Sequence, residues 1–92
     1  MPNLYNATAT SDSSQPIATF DELRAALPVA PVNPSIYVLD DAPDFSVQVI
    51  YGSPDRDHAE VKTFTADGVE RETFDTFNAA TERFLSIASR AF

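Results

Sequence analysis

The chain has no cysteine at all. That removes disulfides, thiolate nucleophiles, cysteine-type zinc sites and iron–sulfur ligation together, and it fits a reducing compartment. Glycine is nearly as scarce, with two in 92 residues. No glycine-rich loop can therefore be built to cradle a phosphate or a nucleotide. Tryptophan is absent and His58 is the one histidine. Six basic residues, five of them arginine, face fourteen acidic ones, for a formal net charge of −8. Such a field repels phosphate backbones and anionic lipid surfaces, which argues against direct nucleic-acid or membrane binding and favours basic protein partners. No apolar run approaches the ~20 residues of a bilayer span. No basic stretch followed by an apolar one opens the sequence, so no secretory signal is visible, and a cytoplasmic or intravirion location is the expectation. Without such a signal the sequon Asn6-Ala7-Thr8 reads as chance.

What is present suffices for one small domain. Apolar residues make up 43% of the chain and aromatic ones 11%, too much for a disordered polymer and enough for a single core. The C-terminal segment is the most organised stretch. Phe74, Phe77, Ala80, Phe84, Ile87 and Ala91, with Leu85, Ala88 and Phe92, recur at the three-and-four spacing of one helix face, while Glu82, Arg83 and Arg90 fall opposite. A lone helix of this length is marginal in water, so its aromatic stripe must cover something.

Residues 1–18 read as a polar, flexible arm in which Leu4, Tyr5 and Ile17 are the sizeable apolar side chains. Leu4 and Tyr5 are candidate docking residues for a neighbouring subunit. Thr19-Phe20-Asp21-Glu22 opens a short helix with a capping box, Thr19 accepting from Glu22 N–H and the Glu22 carboxylate reaching back to Thr19 N–H. Pro28 stops it. The opening recurs as Thr73-Phe74-Asp75, which places the second helix start at Thr73. Pro28, Pro31 and Pro34 match the three-residue turn of a polyproline II connector, so residues 19–34 form a short helix and a linker.

Four extended runs follow in residues 35–92. Ser35-Ile36-Tyr37-Val38-Leu39 is apolar on both faces and reads as an inner strand. Phe45, Val47, Val49 and Tyr51 alternate with Ser46 and Gln48, the clearest strand pattern in the chain. Residues 59–65 and 69–73 pair across Asp67-Gly68, the signature of a two-residue type I′ turn, with Thr63 opposite Glu72 and Phe64 opposite Arg71. A competing reading extends the last helix back to Val69. The expected fold is α+β: a small antiparallel sheet of three to four strands packed by a C-terminal amphipathic helix, with a short N-terminal helix and a polar N-terminal arm.

In a meander of these strands, the loop bearing Asp40, Asp41 and Asp44 lies at the same end as Asp67. Asp55 and Asp57 lie roughly 20 Å away at the other end. Four carboxylates together could hold Ca²⁺ or Mg²⁺, but the loop lacks the glycine and terminal glutamate of an EF-hand, and aspartate is a turn residue in its own right. No metal or cofactor is expected. His58, with Asp57 and Ser53 near it in sequence, sits on a loop that fixes none of them to catalytic tolerance. Glu70 and Glu72 share one side of a strand and read as charges that protect an edge.

No enzyme is expected. The favoured function is a non-catalytic assembly, structural or accessory subunit that acts through protein–protein contacts, self-association among them, in a viral particle or a larger complex. The alternative is a small acidic inhibitor or adaptor that occupies a basic site, in one variant as a nucleic-acid mimic. The candidate partner-binding residues are Leu4, Tyr5, Asp40, Asp41, Asp44 and Asp67.

Overall fold

The computed structural model describes residues 2–6, 14–29, 34–41, 44–53 and 56–92. Its elements, in chain order, are β1 (Asn3–Asn6), β2 (Ser14–Pro16), α1 (Phe20–Ala26), β3 (Ser35–Asp41), β4 (Phe45–Ser53), β5 (Arg56–Thr65), β6 (Gly68–Phe74) and α2 (Phe77–Ala88), which ends in one 3₁₀ turn, Ser89–Ala91. The strands form one antiparallel sheet in the order β2-β1-β3-β4-β5-β6.

Six strands, not three to four, is the first correction. The additional two come from the segment expected to be an arm. Leu4 lies opposite Leu39 across the β1–β3 ladder and is buried. Ile17 is 1% exposed, and its N–H donates to the Pro2 carbonyl at 2.8 Å. The short helix is therefore not N-terminal; it follows two strands. Because β2 and β3 are both antiparallel to β1, they are parallel to one another, and α1 lies in the connection between them. The middle of the expected arm, most of the sequon, Pro31 of the proline series, and Asp55 lie outside the described residues.

Strand alternation sorts the side chains into two faces. Leu4, Leu39, Val47, Val49, Tyr51, Ala59, Val61 and Thr63 are buried on one of them, together with Leu23 and Leu27 of the α1 region and Ala80, Phe84, Leu85, Ile87 and Ala88 of α2. Both helices thus cover the same side of the sheet. Tyr51 ties this layer to α2. Its ring meets Tyr37 and Phe77 edge to face, with centroids 6.1 and 5.4 Å away, and its hydroxyl shares a 2.5 Å hydrogen bond with Thr81 Oγ1.

The caps and turns differ from expectation in instructive ways. Thr19 Oγ1 accepts from Glu22 N–H at 3.1 Å, but the Glu22 carboxylate accepts from Ala18 N–H, one residue before the cap. The second helix is capped by Thr76, whose Oγ1 accepts from Ala79 N–H at 3.1 Å. Thr73 and Phe74 are still in β6, so their likeness to Thr19-Phe20 is not a helix start.

The β5–β6 hairpin closes over Ala66-Asp67, with Thr65 opposite Gly68, Thr63 opposite Glu70 and Phe64 opposite Val69. A type I′ turn needs positive φ at both central residues. Here Gly68 takes φ +132, while among the described residues no non-glycine has positive φ. Thr65 Oγ1 accepts from Asp67 N–H at 3.2 Å and holds the turn. The two-residue displacement of register leaves every side chain on its expected face. At the opposite end, Gly52 (φ 75) sits at an irregularity between Tyr51 and Ser53, which lets β4 and β5 continue pairing to Ser53 and Arg56.

Candidate functional site

With both helices on one side, the sheet presents a second face that no helix of the described residues covers. Three cross-strand rows define it. The first runs Asn3, Asp40, Ser46, Phe64, Val69; the second Tyr5, Val38, Gln48, Lys62, Arg71; the third Ile36, Ile50, Glu60, Thr73. Tyr5, Val38, Ile50 and Phe64 are half-buried, and Val69 is 62% exposed. An antiparallel sheet with one solvated face ordinarily alternates apolar and polar residues. This one places aromatic and β-branched side chains on both.

The charges on this face are arranged around Glu60. Lys62 and Arg71 lie directly opposite each other across β5 and β6, a repulsive pairing on its own. Glu60 Oε1 lies 3.4 Å from Arg71 Nε and 3.9 Å from Lys62 Nζ, so one carboxylate serves both cations. That oxygen is shielded from solvent and accepts no hydrogen bond, which leaves it held by charge alone. Within these three rows two carboxylates, Asp40 and Glu60, thus balance two cations.

The residues singled out from the sequence part company. Leu4 belongs to the core of its own chain, whereas Tyr5, its neighbour, points to the helix-free face. Asp40 and Asp41 are both in β3, not in a loop, and as consecutive strand residues they point to opposite faces. Asp41, Phe45, Thr65 and Gly68 stand in one row, so Asp44 and Asp67 do lie at the same end of the sheet as Asp40 and Asp41. Asp40 and Asp44 line a single open cavity of about 200 Å³ with Phe45, Ser46, Phe64, Thr65 and Ala66; Asp41 and Asp67 are not part of it. Among the described residues no three His, Asp or Glu side chains are grouped as metal ligands.

His58 lines a different cavity with Thr73, Phe74 and Asp75. Glu72 turns toward α2 and accepts from Arg83 Nε at 2.7 Å, so it ties the edge strand to the helix in addition to charging that edge. A third hollow lies between α1 and α2, lined by Arg24, Leu27, Phe77 and Leu85 among others. No helix among the described residues is long and apolar enough to cross a membrane.

Sequence reasoning missed the face itself. Its signal was the run Ile36 to Leu39, apolar on both sides, which reads equally as a strand covered twice within its own chain or as one covered once and open on the other side. Comparison with protein-family models, with curated proteins and with solved structures gives no match to this chain.

Proposed function

We propose that this chain is a non-catalytic assembly subunit, and that it associates with other protein subunits through the helix-free face of its sheet. One observation carries this reading: Tyr5, Val38, Ile50, Phe64 and Val69 share a face left open by both helices. Apolar side chains gathered on an uncovered sheet face of a small domain ordinarily mark a contact surface. The interspersed Gln48, Glu60, Lys62 and Arg71 suit a surface that is wet when alone and paired when assembled.

The test is capture of the tagged full chain from its native source at low and high salt, beside an Ile50→Lys variant. The expected result is a set of bound subunits, own copies included, that resists salt and is lost with the variant. An identical bound set for both chains would overturn the reading.

A second reading has one observation in its favour. Asp40 and Asp44 flank an open cavity with Phe45 and Phe64 in it, a setting that suits a basic side chain whose stem lies on an aromatic ring. In that reading the chain occupies a basic site as an inhibitor or adaptor. Binding would then weaken steeply with salt and be lost on reversing Asp40 and Asp44 to lysine. Salt-insensitive binding that survives the reversal would rule it out.

A further inference from the structure

We infer that the occupant of the helix-free face is a second copy of this chain, packed sheet on sheet about a two-fold axis that runs along β4; the inference rests on the assembly reading above. Charge is the first argument. Two molecules of charge −8 repel, and only surfaces without net charge bring them together cheaply. The three rows of the helix-free face combine that neutrality with apolar character: Asp40 and Glu60 offset Lys62 and Arg71, and the remaining members of the rows are uncharged.

Self-complementarity is the second argument. A closed pair requires one patch to match itself under a two-fold rotation. With the axis along β4, the β5–β6 side of one copy lies over the β3–β1 side of the other. Lys62 and Arg71 sit on the β5–β6 side, while Asp40 and the Tyr5 ring sit on the β3–β1 side. That rotation keeps each row facing itself, so Arg71 lies over the Tyr5 ring and Lys62 over Val38, one strand step from Asp40, in both halves of the interface. Ile50, on the axial strand, meets its own counterpart, with Ile36 and Glu60 beside it in the same row.

Area is the third. Six strands at ~4.8 Å spacing and about 20 Å of strand length give a face on the order of 500 Å² in projection, and more in accessible surface. That is comparable with the ~800 Å² that each partner contributes to a standard specific interface. Two twisted sheets of this size pack aligned at about 10 Å, the geometry of a sandwich core.

Gln48 provides the test, because it lies on the axial strand in the middle row and is half-buried and polar already. In the pair it faces the Gln48 of the other copy. Gln48→Glu and Gln48→Lys each place like charges across the axis, although the first gains an attractive neighbour in Lys62 within the single chain and the second a repulsive one. Sedimentation velocity on the full chain, from low micromolar to several hundred micromolar, reads the association. The wild type is expected at the mass of two copies, only weakly sensitive to salt. Both variants are expected to associate at least about tenfold more weakly, with unchanged circular dichroism spectra. Asn78→Lys, on α2 and so on the helical side, is expected to leave the dimer intact.

A wild type that sediments as one copy throughout overturns the inference. So does a dimer that both Gln48 variants leave undiminished. A monomeric wild type would still leave the Ile50→Lys capture experiment to decide whether the face holds a different protein, so the two readings fail separately.

Discussion

At the residue scale, Tyr51 shows how one side chain joins the layers and how pH reaches the core. Its ring is fully buried between the sheet and α2, and its hydroxyl meets Thr81. Burial raises its pKa above 10.0, the Thr81 hydrogen bond pulls the other way, and the nearby Tyr37 adds a smaller upward push. The unfolded chain therefore releases this proton before the folded one does. Stability from Tyr51 is complete below pH 10.0 and is lost as pH rises above it through the raised native value. Tyr51→Phe should cost about 1 kcal/mol at neutral pH, by loss of one hydrogen bond. It should also make the alkaline decline shallower, so the gap between the two proteins in urea titrations narrows beyond pH 10.0. A gap that stays constant there would mean that Tyr51 ionises as freely in the native chain as in the unfolded one, and a gap that widens would mean that the fold favours the ionised form.

At the scale of elements, Thr76 and Thr73 separate what local pattern reveals from what it hides. The likeness to the Thr19 box places the cap of the second helix at Thr73. The structure uses Thr76, because the hairpin register carries β6 through Phe74, opposite Ala59. Thr76→Ala should cost about 1 kcal/mol in chemical denaturation, and Thr73→Ala less than about 0.5 kcal/mol; the reverse order would put the helix start one turn earlier. The alternation from Phe45 to Tyr51 and the amphipathic stripe from Phe77 to Ala91 were legible because each is a local period that one core face enforces. The hairpin was legible from its turn, but not its register, since that depends on which residue bears positive φ. Strands β1 and β2 were not legible. They are four and three residues long and rich in Asn, Ser and Gln; β1 owes its extended form to β3, more than thirty positions away, and β2 owes its own to β1. The candidate face was hidden for a related reason. Period two tells which residues share a side, but helices must be placed before it is known which side stays open.

At the scale of the whole molecule, the N-terminal segment decides between an appendage and a part of the core. As an appendage, residues 1–18 could be deleted to leave a folded domain that merely fails to associate. The structure places Leu4 at 6% exposure and Ile17 at 1% in the same apolar cluster as Leu23, Leu39 and Val47. Removal of both would withdraw roughly 2–5 kcal/mol for each large aliphatic side chain lost from a core. It would also strip the ladder from the β3 edge, whose backbone groups now pair with β1. Single domains of this size have only about 5–15 kcal/mol of stability to lose. Deletion of residues 1–18 should therefore abolish cooperative thermal unfolding rather than association alone. The milder Leu4→Ala should lower the melting temperature while it leaves a folded chain, because it empties one core position and keeps the β1 hydrogen bonds. Circular dichroism melts of the three proteins measure this. A truncated chain that unfolds as sharply as the full one, at a similar temperature, would show that β1 and β2 are ornaments on a four-stranded domain.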